Sequence, residues 1–367
     1  MKKIASILMV VLVSLIATAC TQGSSGTTTL ILNPYAGVDW SQNEQVLANL
    51  HTHTTHSDGR ADPHEVVDFY HAFEYGVLAI TDHDLITYPW TFSEINPAWE
   101  DRDPEALGML AIPGNEYHDN PNVHHFVGLF TEYLAEPNQP IETTLAALFA
   151  QPQAVGFFAH PGRYWRIFDT YEPGEMFSPE WYQAFFEQYP VEQLLGMEII
   201  NRQNARPYQR DLWDRLLTEL MPERPIWGFG VDDFHGDRIG QGMGWGFTYH
   251  FMQDTTSLEE FRETLMQGRF YIGFTAIETE DSPRIQSIIV NERLRYIEIR
   301  ATDYEEIRWY SGVDEPLMTS RHVHTGNRFY YGAFSGDYVR AEIIRSTRET
   351  TAAISYTQPF GFKQEGS

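Results

Sequence analysis

The sequence predicts an α/β fold, a barrel of alternating strands and helices with a small antiparallel β domain behind it. Three observations lead there. From about residue 46 to 275, short apolar runs alternate with helix-like segments, the pattern of βα units. Several of those runs end directly on histidines and carboxylates, at the strand ends where such barrels build function. From about residue 277 the helix signal fades, and β-type runs separated by turn residues take over. A chain of 367 residues, 42% of them apolar, is long enough for one large and one small domain.

The first residues stand apart from the fold. Lys2 and Lys3 precede an apolar run, and the small residues Ala17, Thr18 and Ala19 lead into Cys20. That is the layout of an export signal, and its apolar stretch is short for a transmembrane span. Cys20 is the only cysteine, so no intrachain disulfide can form. Ala17-Thr18-Ala19-Cys20 resembles the bacterial lipoprotein signal, although Ala17 stands where that signal usually has Leu. The resemblance implies a signal peptide over 1–19, an acylated Cys20 with a linker over 20–45, and a membrane-anchored protein on the outer side. Cleavage by ordinary signal peptidase, with Cys20 a bystander, is the alternative.

The expected barrel strands are 46–50, 77–81, 109–113, 126–130, 155–159, 196–200, 226–230 and 270–274. The first helix starts at Pro63 behind Asp62, a proline in the first turn after a capping carboxylate. Others are expected over 141–149, 208–220 and 258–266, the last opened by Ser257 with Glu259 and Glu260 near its positive end. The β-rich region, 276–367, carries strands near 285–290, 294–302, 306–311 and 337–344.

With 25 Lys and Arg against 51 Asp and Glu, the formal charge is −26. That argues strongly against a nucleic-acid-binding module, which needs a basic patch to displace counterions. It does not exclude a small phosphorylated substrate, because bound metal ions can reverse the local field.

Where the histidines fall decides the chemistry. His51-Thr52-His53 follows the first strand, and alternate residues of an extended chain face the same side. Ser57-Asp58-Gly59 then brings a carboxylate on a tight turn. Thr81-Asp82-His83-Asp84, Gly114-Asn115-Glu116, His124-His125, His160-Pro161-Gly162-Arg163 and Asp232-Asp233-Phe234-His235 adjoin later strands. Converging on one barrel face, so many imidazoles and carboxylates need cations to offset repulsion and desolvation. Nitrogen and oxygen donors without sulfur suit Mn, Zn or Fe.

These segments resemble the PHP superfamily, named for bacterial DNA polymerase and histidinol phosphatase domains, over residues 46 to 275. The resemblance implies a distorted (β/α)7 barrel with two or three divalent metal ions. One ion would be held by His51, His53, Glu116 and Asp233. A second would share Glu116 and add His125 and His160, and a third would take Asp58, His83 and His235. The implied activity is hydrolysis of a small organic phosphate mono- or diester by a metal-bridging hydroxide. Asp233 and His235 would belong to the catalytic set, and Arg163 would offer a bidentate contact to phosphate. Attack on a carboxyl or carbamate ester by the same site, and a binding protein without turnover, are the alternatives.

Several residues are expected to stay outside the site. His125 is preferred to His124, and Asp233 to Asp232. His56, His64, His71 and His118 read as surface or supporting residues, and His322-Val323-His324 as structural. Asp82 and Asp84 either orient His83 or end a strand. The aromatic stretch 164–189 is either a lid or a helical insertion packed on the barrel.

Overall fold

The computed structural model describes residues 28–90, 103–118, 124–137, 139–162, 178–203, 208–237, 242–276, 281–314, 318–347 and 351–364. The export-signal reading, Cys20 and Arg163 lie outside the described residues. Among the described residues, no helix is long and apolar enough to cross a membrane.

Among the described residues the chain is a mixed α/β protein with three sheets. Strand β1 (Thr28–Leu32) is followed by β2 (Glu44–Asn49), α1 (Pro63–Ala72), β3 (Val77–Leu78), α2 (Pro104–Leu107) and β4 (Leu110–Ala111). Next come β5 (Gly114–His118), β6 (His125–Leu129), α3 (Ile141–Leu148), β7 (Val155–Ala159), α4 (Pro179–Gln188), β8 (Leu194–Asn201), α5 (Tyr208–Leu220) and β9 (Trp227–Val231). Then follow β10 (Gly246–Met252), α6 (Leu258–Gln267) and β11 (Phe270–Phe274). The remainder is β12 (Arg284–Asn291), β13 (Tyr296–Thr302), β14 (Glu306–Asp314), β15 (Thr319–Thr325), β16 (Arg328–Tyr330), β17 (Tyr338–Thr347), β18 (Thr351–Tyr356) and β19 (Phe360–Gln364).

Local chemistry accounts for the helices. At α1, Glu65 reaches back to accept from the Asp62 N–H at 2.9 Å, and Pro63 opens the first turn. Ser178 and Ser257 accept from the Trp181 and Glu260 N–H groups to start α4 and α6. α6 stops at Gly268, whose φ is +67° and where a Cβ would lie only 2.9 Å from the Trp227 ring.

One continuously hydrogen-bonded barrel is not what the described strands form. β2, β3 and β4 run parallel in one sheet, and β7, β8 and β9 run parallel in another. Antiparallel strands interrupt both series: β10 lies between β2 and β11, and β5 and β6 precede β7. Single bridges, Thr52 to Phe234 and His83 to Glu116, join the two sheets. Side chains from both fill a shared interior, including Ala48, Val77, Val127, Phe157 and Phe229, with the last two rings stacked at 4.2 Å.

Two further differences from the sequence expectation concern the ends. The stretch over 28–45, expected as linker, is built into the fold. β1 pairs with β19, and the buried Tyr35 hydroxyl donates to Phe270 O and accepts from the Gln358 N–H. The β-rich region is antiparallel, but β14, β15, β17, β18 and β19 extend the sheet that holds β2 and β11. β18 pairs directly with β11 across the expected boundary. Chain ends hundreds of residues apart meet here, which periodicity along the chain does not encode.

Within the aromatic stretch, the described part is α4. Tyr182, Phe185 and Phe186 are buried in the core outside the β5–β9 sheet, so this segment packs as a helix.

Candidate metal centre

The bridges that join the two sheets coincide with a cluster of imidazoles and carboxylates. Beyond the end of β2, the His53 N–H donates to Phe234 O at 2.9 Å, and on the other seam the Glu116 N–H donates to Thr81 O at 3.2 Å. His51 and His53 leave β2 on the same side, as an i, i+2 pair must. Their Nε2 atoms lie 3.0 Å apart.

Glu116 sits at the centre of this cluster. Its Oε2 is 3.1 Å from Nε2 of both His51 and His53 and 3.4 Å from His83 Nδ1. Its Oε1 is 2.9 Å from His125 Nδ1 and 3.1 Å from His160 Nε2. Asp233 Oδ1 lies 3.6, 3.4 and 3.3 Å from His51, His53 and His235. Asp58 Oδ1 lies 3.1 Å from His235 Nε2 and 3.8 Å from His83 Nε2. All nine expected ligands therefore fall in one cluster. Its inner part is buried, whereas Asp58 is 57% exposed.

The turn that carries Asp58 is held from below. The Asp82 carboxylate accepts from the Thr54 N–H and hydroxyl and from the Ser57 and Thr87 hydroxyls, all within 2.7 Å. Gly59 is required because a Cβ there would lie 2.6 Å from the His53 carbonyl carbon. Asp82 thus fixes the Asp58 turn, and Asp84 pairs with His118 at 3.0 Å. Left-handed backbone at Asp84, His160, Arg202 and Asp233 places strain at the cluster.

The members of the two adjacent pairs point to different neighbours. His125 meets Glu116, whereas the His124 ring stacks on Trp181 at 3.9 Å. Asp232 accepts from the Tyr70 hydroxyl and from the N–H groups of Gly244, Trp245 and Gly246, away from the imidazoles.

Sequence reasoning missed three residues. Glu198, in the middle of β8, lies 2.6 Å from His51 Nδ1 and accepts from the His160 N–H at 2.6 Å. Asn201 bridges Glu198 and Asp233. Arg202 donates from Nε to Asp233 Oδ2 at 3.0 Å. A carboxylate inside the apolar run Leu194–Asn201 was the available signal, since a buried charge needs a partner.

The electrostatics call for positive charge. Burial would raise the Glu116 and Asp233 carboxyls, but His51 and the other nearby cationic groups hold both well below the usual range. Burial would lower His51, yet Glu116, Glu198 and Asp233 hold it well above its ordinary value. Burial is likewise overcome at His53, raised to about 9 by hydrogen bonds with Asp233 and Glu116. Burial dominates at His83 and His160, pushed down to about 4 and about 3. Glu198, also buried, is raised.

This donor set fits divalent metal ions. The close carboxylate holds a proton on Nδ1 of His51, so Nε2, which faces His53 Nε2 and the Glu116 and Asp233 oxygens, is the nitrogen left to ligate. The positive charge that the carboxylates draw there as extra protons on His51 and His53 is charge that a metal ion would supply instead. Among the described residues, three groups place their donor atoms within 4.8 Å of one another: His51, His53 and Asp233; His53, Asp58 and His83; and His83, Glu116 and His125. Beside the outer part opens a cavity of about 380 Å³ bounded by Asp58, Arg202, Asp233, His235 and Trp245.

No family model matches the chain. It is 39% identical over 89 residues to the 5′-3′ exoribonuclease Rnm of Escherichia coli K12, and 38% identical over 89 residues to that of Salmonella typhimurium. Each match takes in 24% of this chain, which spans 28% of the length of these relatives. Among solved structures it is similar to a two-domain protein of Bacteroides vulgatus containing a predicted PHP-like metal-dependent phosphoesterase. That match has 18% identity and a TM-score of 0.47, covering 86% of this chain and 93% of the other. It is also similar to an amidohydrolase of Chromobacterium violaceum, with 15% identity and a TM-score of 0.38, covering 61% of this chain and 96% of that one.

Proposed function

We propose that this chain is a metal-dependent hydrolase of the PHP type that cleaves a small phosphoester outside the cytoplasm, tethered by acylation at Cys20. The observation that carries the reading is Glu116, set between His51 and His53 on one oxygen and His125 and His160 on the other. A carboxylate bridging two pairs of imidazoles is a holder for two adjacent cations. In this reading the two parallel strand series are the halves of an interrupted (β/α)7 barrel, and the bridges at Thr52 and His83 are its seams.

His51, His53, Glu116 and Asp233 would hold one ion, Glu116, His125 and His160 a second, and Asp58, His83 and His235 an outer one. Mn, Zn or Fe suits these donors, and would supply Lewis acidity toward a phosphoryl oxygen and an activated water. The protein's own part is positional. Glu198 keeps His51 in one tautomer, Asp82 holds the Asp58 turn, and Asp232 ties the Gly244–Gly246 backbone beside the cavity. Arg163 would add a phosphate contact. The acidity of the chain, −26, favours a small substrate over RNA.

The test uses a soluble form beginning near Thr27, stripped of metal and reloaded with manganese. Release of nitrophenol from nitrophenyl phosphate or bis-nitrophenyl phosphate, abolished in Asp233→Asn, is the expected result. Turnover of nitrophenyl acetate alone would replace the phosphoester reading with carbonyl hydrolysis. Bound metal with no turnover of any of the three would remove the proposed reaction.

A further inference from the structure

We propose that the tip of the β12–β13 hairpin docks on an anionic lipid surface, with Leu294 entering the bilayer interface between Arg293 and Arg295. The inference deepens the tethered reading above, in which acylation holds the chain at Cys20. β12 and β13 close with Asn291 opposite Tyr296, so residues 292–295 form the loop. The Leu294 N–H donates to Asn291 Oδ1 at 2.8 Å, and Arg295 takes a left-handed φ of +53°. The chain thus turns at Leu294 and leaves its side chain in solvent.

Exposed apolar side chains gather around this tip. Among the described residues, three large ones are more than half exposed: Leu294, Tyr330 and Ile31, at 61%, 60% and 52%. Tyr330 lies opposite Tyr296 across β13 and β16, with the rings 5.7 Å apart. Ile31 lines a cavity of about 630 Å³ that Val290, Asn291 and Glu292 line as well. Segments far apart in sequence therefore bring their apolar residues to one end of the molecule, which marks a surface with a partner. Tyrosine beside an apolar tip suits the headgroup level of a bilayer.

Charge selects lipid as that partner. The chain carries −26 overall, yet β12, β13, β16 and the 292–295 loop hold five arginines against two glutamates. Glu298 is held between Arg300 and Arg328. Among the described residues, Arg293 and Arg295 form no ion pair, and Glu292 is the one carboxylate on the loop. Guanidinium groups on either side of an apolar apex can reach lipid phosphates while their stems lie along the acyl boundary.

The tether presents this end to the membrane. Thr28 Oγ1 donates to Phe334 O, the Phe334 N–H to Tyr331 O and the Tyr331 N–H to Arg295 O, which links the start of β1 to the hairpin tip. Cys20 precedes Thr28 by eight residues, a span of at most about 28 Å. An acyl anchor fixes that distance, and the hairpin adds an orientation.

The experiment uses the form beginning near Thr27, which carries every described residue and no acyl group. Co-sedimentation with phosphatidylglycerol–phosphatidylcholine vesicles should show binding that phosphatidylcholine alone does not support and that high salt weakens. Leu294→Asp, and Arg293→Glu combined with Arg295→Glu, should each weaken it about tenfold or more. Arg262→Glu, on α6 where the guanidinium bonds Gln153 O, should bind as wild type does, and circular dichroism checks that each variant is folded. No binding to anionic vesicles, or equal binding by all the variants, would overturn the proposal. A dimer in light scattering that Leu294→Asp dissolves would also overturn it and assign the face to a second copy. Mass spectrometry of Cys20 in the full chain tests the tether separately. Vesicle binding with an unmodified Cys20 would keep the hairpin and remove the tether; an acylated Cys20 without vesicle binding would do the reverse.

Discussion

Glu198 grips Nδ1 of His51 at 2.6 Å, and both side chains are fully buried. That contact decides which nitrogen of His51 faces Glu116 and Asp233. It also ties β8 to the end of β2, across the two sheets whose interior the protein shares.

Replacing Glu198 by Ala should therefore weaken metal binding about 10- to 100-fold without removing any of the expected ligands, the usual effect of losing a ligand's orienting partner. Mn²⁺ titration of Glu198→Ala against wild type checks it. Unchanged affinity would mean that the imidazole is oriented by something else.

Metal removal should lower stability. An ion bound only by the folded state, at a hundred times its dissociation constant, adds about 2.7 kcal/mol. Thermal melts with a chelator, and after Mn²⁺ is restored, should show a reversible fall and recovery in Tm. A melt indifferent to both would argue that the cluster holds no ion.

Asp214 and Arg340 join α5 to β17 through two hydrogen bonds of 2.6 and 2.8 Å, with both residues fully buried. Glu342 takes a third guanidinium hydrogen at 2.8 Å, and the Trp213 and Tyr310 rings flank the cation. Asp214→Ala leaves that charge buried with less compensation and should cost about 3–5 kcal/mol. Pairing it with Arg340→Met should recover much of the loss in urea unfolding, because an apolar pair of similar volume removes the stranded charge.

His250 makes stability pH-dependent. Its ring is buried between the Thr248 and Thr264 hydroxyls at 2.9 and 2.7 Å, and burial pushes its pKa down to about 3. The unfolded chain binds the proton near pH ~6.5, so the neutral ring's contribution is complete above that value and is lost as pH falls toward ~3. At pH 5 the loss is about 2 kcal/mol. Urea unfolding at pH 7 and pH 5 should show a drop in wild type larger by about that amount than in His250→Leu.

Much of the candidate centre was legible as residue types at strand ends. His51 and His53 are two apart beyond a strand, Asp58 rides a turn that Gly59 makes possible, and Asp233 and His235 close β9. Glu198 and Arg202 were not read, because nothing near them in sequence shows that the Glu198 side chain reaches His51 and His160 and that of Arg202 reaches Asp233. Strand β10 was overlooked as well. Its polar residues Thr248 and His250, buried against Ala48 and Thr264, interrupt the apolar run that marks the other buried strands.

By itself the sequence determined the alternation of strands and helices, the caps that start α1 and α6, and the gathering of imidazoles and carboxylates at strand ends. These are local properties, set by periodicity and by neighbours a few residues away. The tertiary structure alone decided that antiparallel strands divide the expected barrel into two sheets, that β1 pairs with β19, and that the β-rich region continues the sheet of β2. It also decided that Glu198 of β8 reaches His51 and that Arg202 reaches Asp233. Each depends on groups distant in sequence competing for the same buried hydrogen-bonding positions, and only packing resolves that competition.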